Sequence, residues 1–225
     1  MPAPLSVIIP TLNAEADLPR CLESLMEGLD AGLICELIVS DGGSSDASCA
    51  LAQAWGAEVV EGAMSRGGQL KRGCAAAKGD WMLVLHADTC LAAGWSDQVV
   101  QVLKTRDLGY WFHLRFTGGG TAAALVAAWA NLRSQLGLPY GDQGLLIPRS
   151  LYKKSGGYPD IPLMEDVALA RALKGKLRPL AVQALTSAEK YQRQGWLRRG
   201  GRNLWTLVQY FAGRDPVKLA EAYRR

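Results

Sequence analysis

The stretch Trp81-Met-Leu-Val-Leu-His86-Ala-Asp88-Thr89 decides the reading of this chain, because an apolar run stops abruptly at a short acidic segment. Its strand-like hydrophobicity delivers Asp88 to the carboxyl edge of an open sheet, where ligands of α/β folds bind. A carboxylate there is placed for a metal ion, since a hard divalent cation takes one or two carboxylates and completes its shell with water and substrate phosphates. His86 and Asp88, two apart on an extended chain, are expected to point to one face and to reach one bound ligand. An Asp that ends a strand is also an ordinary turn former or helix cap, and this segment alone leaves both readings open.

Working outward, strand-like and helix-like segments alternate. Strands are expected over residues 5–10, 37–40, 57–61 and 81–86, and helices over 15–28, 44–55 and 69–78. Leu18, Leu22, Leu25 and Met26 give the first helix its apolar stripe, and Ser44, Ser45 and Asp46 read as the cap of the second. This β-α-β-α-β-α-β order predicts an α/β fold with a parallel sheet covered on both faces and right-handed crossovers. The first turn lacks G-x-G-x-x-G, so a dinucleotide cofactor is not indicated, and a mononucleotide fits as well.

Composition bounds the class. With 225 residues, 49% of them hydrophobic and 20% charged, the chain can bury one sizeable core, and one domain is expected. Cys21, Cys35, Cys49, Cys74 and Cys90 have neither C-x-x-C spacing nor an even number, which argues against zinc and a disulfide framework and for a reducing cytoplasm. No leader peptide is expected at the amino terminus, which runs straight into a strand, and no apolar stretch has the length of a membrane span; residues 121–129 are Ala-rich but soon meet Arg133.

The second turn, Val39-Ser-Asp41-Gly-Gly-Ser44-Ser-Asp46, follows a strand with two glycines that allow close backbone approach, and the next helix start offers free N–H groups. Asp41 could accept hydrogen bonds from a nucleobase N–H or a ribose hydroxyl; equally, Asp-Gly-Gly is turn chemistry. Asp142 and Gln143, between Gly141 and Gly144, are either contacts to acceptor or donor sugar or a plain polar turn. Glu165 and Asp166 open a helix, where the macrodipole favours acidic residues whatever their function. Gly156-Gly-Tyr158-Pro159 just upstream reads as a bend that brings this helix start to the cleft.

Ser6-Val-Ile-Ile-Pro-Thr-Leu-Asn13-Ala-Glu15, Glu36-Leu-Ile-Val-Ser-Asp41-Gly-Gly-Ser-Ser-Asp46 and Gly79-Asp80-Trp-Met-Leu-Val-Leu-His86-Ala-Asp88-Thr89 resemble, in order and spacing, the family 2 glycosyltransferases, whose fold is GT-A. The likeness is strongest to a small bacterial subgroup with a Leu-His-Ala-Asp-Thr metal motif and later Gly-Asp-Gln-Gly and Met-Glu-Asp-Val motifs, here residues 141–144 and 164–167. The resemblance implies a GT-A, Rossmann-like domain that moves one sugar from a nucleotide-sugar donor to a hydroxyl acceptor, with Mn²⁺ or Mg²⁺. It implies that Pro10, Thr11 and Glu15 line the nucleotide pocket, that Asp41 binds the base, that Arg66 approaches the nucleotide and that Asp88 binds the metal. Asp166 is then the general base of an inverting displacement, and Glu165, Asp142 and Gln143 contact acceptor or sugar.

The chemistry asks for such groups independently. A departing diphosphate needs its charge neutralised, and an acceptor hydroxyl must lose its proton as it attacks an oxocarbenium-like carbon. The sequence departs from the family at three points. His86 stands where D-x-D has its first Asp, as ribose contact, metal ligand or buried spectator; Leu12 replaces a frequent aromatic; and Lys71 stands where relatives often carry Asn. A poor match to Gln-x-x-Arg-Trp at residues 192–196 implies one transfer per encounter. Two other functions use a similar core. A sugar nucleotidylyltransferase would carry a glycine-rich basic loop after the first strand, which residues 10–15 lack, and a non-catalytic nucleotide-sugar binding protein would have no use for Asp166.

The expected domain layout is a catalytic domain over residues 1–189, its nucleotide half about 1–90 and its acceptor half about 91–189, followed by a basic amphipathic helical segment over 190–225. From Lys190 onward nine Lys or Arg residues stand against two acidic ones. Leu197, Leu204, Trp205, Val208 and Phe211 share a helical face, with Arg198, Arg199 and Arg202 elsewhere around the axis. Such a helix can lie on an anionic membrane surface, at the inner face of the membrane and near a lipid-linked acceptor. Its apolar face is instead expected to pack on the catalytic domain and to leave the arginines in water. No nucleic acid is expected, because no recognised motif accompanies the basic residues.

Overall fold

The computed structural model describes residues 3–224; Met1 and Pro2, where the expectation of a leaderless start begins, and Arg225 lie outside them. The nucleotide half forms β1 (Leu5–Thr11), α1 (Leu18–Asp30), β2 (Ile34–Asp41), α2 (Ser48–Ala54), β3 (Glu58–Glu61), α3 (Arg66–Ala76) and β4 (Trp81–Val84). Leu5, Val7, Ile8 and Ile9 of β1 and all four residues of β4 are buried, as befits strands covered by helices on both faces. Each such side chain contributes roughly 1.5–3 kcal/mol by leaving water.

The chain continues through β5 (Thr89–Leu91), α4 (Trp95–Val102), β6 (Gly109–Thr117), α5 (Gly120–Gln135), a 3-10 turn at Gly141–Gln143, β7 (Leu145–Pro148), α6 (Arg149–Lys154), α7 (Glu165–Ala172) and β8 (Leu177–Ser187). The helices α8 (Glu189–Gln194), α9 (Trp196–Phe211) and α10 (Pro216–Arg224) end it. All the strands form one sheet in the order β3-β2-β1-β4-β7-β6-β8-β5. The β3-β2-β1-β4 portion is parallel throughout, whereas β7 runs antiparallel to both β4 and β6. The expected α/β sheet is therefore parallel in its first half and mixed in its second.

This mixture positions the site. The carboxyl ends of β1, β4, β6 and β8 lie at one edge, and the reversed β7 begins there, so the turn at residues 141–143 joins the loops after β1 and β4. β5 also starts at that edge, with Thr89 opposite Thr186 of β8.

Several boundaries differ from the sequence reading for local reasons. β4 ends at Val84, and residues 86–89 close a turn in which the Thr89 N–H donates to the His86 carbonyl at 3.0 Å. His86 and Asp88 are therefore not alternate residues of one extended strand. α3 begins at Arg66, capped by the Ser65 hydroxyl, three residues before the expected start. α2 begins only at Ser48, because Ser44 is bonded to Asp41 and Asp46 accepts from the Ser48 N–H and hydroxyl. Met26, expected in the core stripe of α1, is exposed.

The largest difference concerns α9. Leu197, Leu204, Trp205, Val208 and Phe211 are exposed, and it is Thr206 and Leu207 of this helix that are buried. The expected packing of the apolar face on the domain is thus reversed: the helix docks by its polar side, and Leu207 joins Leu163, Met164, Val167, Leu219 and Ala220 in a small cluster over the start of α7. The polar side is the one that fits, because Arg199, Arg202 and Asn203 find partners there. The Arg199 and Arg202 guanidiniums both donate to Gln194 Oε1 and lie over the rings of Tyr191 and Tyr223. Among the described residues no helix is long and apolar enough to cross a membrane.

Candidate active site

An open cleft of about 770 Å³ lies along the carboxyl edge of the sheet. Its volume is in the range that holds a nucleotide-sized ligand. Pro10, Thr11, Arg66, His86, Asp88, Asp142, Glu165 and Asp166, eight of the residues singled out in the sequence, line it together. Glu15, Asp41 and Gln143 do not.

Each absence has a visible cause. Asp41 is buried behind Thr11, and its oxygens accept from the Thr11 and Ser44 hydroxyls and from the Gly43 and Ser44 N–H groups at 2.5–3.0 Å. Burial works against its charge, but these hydrogen bonds outweigh it and hold the carboxyl below its ordinary pKa. Glu15 accepts from the Ala47 N–H at 2.9 Å, at the start of α2. Gln143 is fully buried. Its carbonyl accepts from the Ser134 hydroxyl at 2.5 Å and its amide donates to Asn131 Oδ1 at 3.1 Å, fastening the turn to α5. Its place as a sugar contact is accordingly corrected to that of a support beneath Asp142, since no polar atom is left over to face a ligand.

Gln69, unremarked in the sequence, ties the two nucleotide-side turns together: its amide donates to the Thr11 carbonyl at 2.7 Å and to the Ser40 carbonyl at 3.3 Å. Asn13, held at φ 50°, bonds through Oδ1 to the Ser45 N–H and lines the cleft with Asp17. Asx side chains in turns after strands are the signal that could have marked Asn13.

The opposite wall carries the carboxylates. Met164 sits at φ 68°, turning the chain so that Glu165 and Asp166 open α7 at the cleft. Asp166 Oδ2 accepts from the Gly141 N–H at 2.7 Å. Glu165 is fully buried and lies 3.2 Å from Arg66 Nε, with neither oxygen in a hydrogen bond among the described residues. Burial and the adjacent Asp166 raise the Glu165 pKa against the pull of Arg66. For Asp166, burial is outweighed by Arg66, the Glu165 carboxyl, His86 and the Gly141 N–H, and its pKa is lowered. The two shifts run in opposite directions, so Asp166 ionises more readily than Glu165. Asp142, beside them, is pushed up to about 6 by burial and by the Asp166 and Asp88 charges, with Arg133 and Arg66 pulling the other way.

His86 packs directly on Gly141, so closely that a Cβ there would lie 2.3 Å from its Nε2. The glycine is needed for that approach. Gly67 is needed in the same way, since a Cβ would meet the Pro159 carbonyl at 2.1 Å where the 159–162 loop crosses the first turn of α3. That crossing brings Arg66 to Glu165.

The carboxy-terminal helices complete the cleft, with Tyr191, Arg199, Asn203 and Tyr223 in its lining. Tyr223 donates to Asn203 Oδ1 at 2.8 Å, and Asn203 donates to the Tyr191 oxygen at 3.1 Å. The sequence singled out Arg199 only as part of a basic helix, because nothing in residue spacing shows that the polar face turns inward.

A metal has a fitting donor set here. Asp88 supplies a hard oxygen, Asp142 Oδ1 is buried without a hydrogen-bond partner, and no group of three or more ligand side chains occurs among the described residues. One or two carboxylates completed by phosphate oxygens and water is the usual setting for Mg²⁺ at a diphosphate.

Residues 6–142 match the model of glycosyl transferase family 2. A PGL/p-HBAD biosynthesis glycosyltransferase of Mycobacterium tuberculosis is 36% identical over 105 residues, 40% of this chain and 38% of that protein. Glucosyl-3-phosphoglycerate synthase of the same organism is 32% identical over 160 residues, 59% of this chain and 49% of that protein. The chain thus spans less than half the length of these relatives. The crystal structure of that synthase with Mn²⁺, UDP-glucose and phosphoglyceric acid superposes with a TM-score of 0.57 at 28% identity, over 78% of this chain and 68% of the other. A mannosyltransferase of Pyrobaculum calidifontis, solved with GDP-mannose and Mn²⁺, shares the fold at a TM-score of 0.67 and 16% identity, over 98% of this chain and 68% of the other. With the family model spanning more than half of its residues, on the strands and turns that build the cleft, the chain belongs to glycosyl transferase family 2.

Proposed function

We propose that the protein transfers one sugar from a nucleoside-diphosphate sugar to a hydroxyl acceptor, with inversion, Asp166 acting as general base. The observation that carries this reading is the Glu165–Asp166 pair at the start of α7. It keeps one carboxylate ionised at the cleft, facing the wall that bears Asp88. In a single displacement the acceptor oxygen forms its bond to the anomeric carbon as the bond to the diphosphate oxygen breaks. The hydroxyl proton passes to Asp166 and the nucleoside diphosphate leaves with the bonding pair. A lowered pKa suits a base that takes its proton only as the attacking oxygen becomes acidic, late in the displacement.

On the donor side, Pro10 and Thr11 form the nucleotide wall, with Asp41 and Glu15 holding the turns behind it and Arg66 directed to the phosphates. A divalent cation, Mn²⁺ or Mg²⁺, held at Asp88, supplies Lewis-acid neutralisation of the leaving diphosphate. The complex of the mycobacterial synthase with Mn²⁺ and UDP-glucose supports the use of a divalent cation with a nucleotide-sugar. His86, packed on Gly141 and near Asp166, fixes the turn that presents Asp142, and Glu165, the harder of the two acids to ionise, leaves the charge on Asp166. The acceptor approaches from the side of Tyr191, Arg199 and Asn203 and is carried on a lipid at an anionic membrane surface.

Nucleoside diphosphate release from a panel of nucleotide-sugars with Mn²⁺ tests the reading. Asp166→Asn is expected to retain donor binding and to lose turnover by ~10²-fold or more. Asp88→Ala is expected to lose metal-dependent donor binding. Full turnover in Asp166→Asn would refute the assignment of the base.

A further inference from the structure

The helices α5 and α9 lie against each other, Trp196 of α9 packing on the small cluster that Ala123, Ala127 and Ala130 of α5 help to build, and both are turned inside out. The buried side of α5 is made of small residues, Ala123, Ala127, Ala130 and Ser134. Its outer side, with the residue that follows it, carries Leu125 at 72%, Trp129 at 51%, Leu132 at 49% and Leu136 at 77% exposure. The outer side of α9 carries Leu197 at 92% and Trp205 at 63% exposure, with Leu204, Val208 and Phe211 each close to half exposed. These nine are a majority of the sixteen exposed large hydrophobic residues among the described residues, concentrated on two neighbouring helices. Scattered exposed apolar side chains need no explanation, but a concentration of this kind marks a surface that is covered in use.

Charge identifies the cover. Neither α5 nor α9 contains an acidic residue. Of their arginines Arg198 is turned outward, whereas Arg133 donates to the Leu138 carbonyl and lies over Tyr140, and Arg199 and Arg202 are turned to Gln194. Arg198 is exposed at the edge of the apolar face of α9, and Arg214 and Lys218 follow beyond its carboxyl end. An apolar face with tryptophans and a basic rim matches the interface of an anionic bilayer, where indole rings sit at headgroup depth and the cations meet lipid phosphates.

We propose that the protein docks on anionic membranes through the outward faces of α5 and α9, with Trp129 and Trp205 as its anchors. The apolar side chains, rather than Arg199 and Arg202, enter the bilayer, because those two arginines are turned to Gln194 and the tyrosines of the cleft. The arrangement specifies the membrane partner of the proposed transferase: the inner side of α9 lines the cleft and its outer side faces the lipid, which sets the acceptor side of the cleft at the membrane surface.

Cosedimentation with vesicles of phosphatidylcholine alone, and of phosphatidylcholine mixed with phosphatidylglycerol, tests the docking independently of the chemistry. The wild-type chain is expected to pellet with the mixed vesicles, to show a blue-shifted tryptophan emission and to keep part of its binding at high salt. The quadruple variant Trp129→Ser, Leu132→Gln, Trp205→Ser, Val208→Gln, altered only on exposed positions, is expected to bind at least about tenfold less at every salt concentration. Arg198→Glu should weaken only the salt-sensitive part. Its folding is checked by an unchanged melting temperature and unchanged nucleoside diphosphate release without vesicles, so a failure of docking leaves the transferase reading standing and the reverse also holds. Absence of wild-type binding to the mixed vesicles, or equal binding by the quadruple variant, would overturn the proposal. So would a wild-type dimer in sedimentation velocity that the quadruple variant converts to a monomer, since the face would then belong to a second copy.

Discussion

Asp142→Asn offers the sharpest test of the electrostatics of the cleft. Asp142 sits in the 3-10 turn ahead of β7 with its Oδ1 buried and no hydrogen bond to it among the described residues. Burial, with the charges of Asp166 and Asp88, pushes it up to about 6 from an ordinary 3.8. An unfolded chain therefore releases this proton first as pH rises, and the folded state holds more protons through that window. Stability must then fall as pH rises from about 4 to about 6, and the whole penalty is present above the folded-state value. A gap of roughly two pH units at about 1.4 kcal/mol per unit sets an upper bound near 3 kcal/mol, and relaxation around the turn brings the expectation to about 2 kcal/mol.

Replacing the carboxyl by an amide removes the ionisation and leaves the desolvation of a polar group at every pH. The variant is expected to melt higher than wild type by roughly 4–8 °C at about pH 8, while the difference shrinks to within roughly 1–2 °C at about pH 4. The assay is thermal unfolding of both proteins across that range without added nucleotide or metal. A difference in melting temperature that does not change with pH, or a variant less stable than wild type at the alkaline end only, would refute the reasoning.

Other perturbations follow from the same geometry. Gly141→Ala places a methyl group 2.3 Å from His86 Nε2 and 3.2 Å from Asp166 Oδ2, so the variant should fold yet release nucleoside diphosphate at least about tenfold more slowly. Gln143→Leu strands the partners of its amide, Ser134 and Asn131. It should lower stability in urea by roughly 1–3 kcal/mol, and donor affinity by calorimetry should change little, because Gln143 does not face the cleft. Arg66→Ala removes the first cation that holds Asp166 ionised. With a donor-saturated assay, the acid limb of the kcat profile should move to higher pH, since the base must lose its proton before it can work. A profile that stays in place would separate Arg66 from Asp166.

How far the sequence could be read depended on whether a residue's local signal agreed with its tertiary use. The runs of β1 and β4 are apolar because they are covered on both faces, so pattern and burial coincide and the strands were legible. Arg66 lies outside the helix expected over residues 69–78, ahead of Gly67 and Gly68 in the first turn of α3. They are glycines because the backbone of Pro159 and Ile161 crosses them, a contact nearly a hundred residues away that periodicity does not contain. The acidic groups at Asp88 and Asp166 were legible from motif and resemblance, whereas Gln143 and Asp142, neighbours in one motif, part ways in space. A 3-10 turn sends one side chain under α5 and the other into the cleft. The apolar stripe of α9 was read correctly as a stripe and assigned to the wrong side, because amphipathic periodicity reports that two faces differ and not which one meets protein.

The same charges explain why an acidic cleft can accept an acidic donor. Asp88, Asp142, Glu165 and Asp166 gather against Arg66 and Arg199, and a nucleotide-sugar adds the negative charge of its diphosphate. Without compensation the like charges would repel the ligand. The chain relieves part of that repulsion by itself: burial and the neighbouring Asp166 oppose the ionisation of Glu165, and Asp142 takes up a proton near pH 6. Relief by protonation also removes the negative charge that would attract a cation, so proton and cation compete for the same carboxylates. Donor binding in the presence of a divalent cation should therefore strengthen as pH rises through about 6 and level off once Asp142 is ionised. Asp142→Asn should flatten that dependence while leaving the ionisation of Asp166, which lies lower and is held by Arg66, to set the acid limit of turnover. A cleft built in this way stays only partly charged when empty, and binds donor and cation together more readily than either alone.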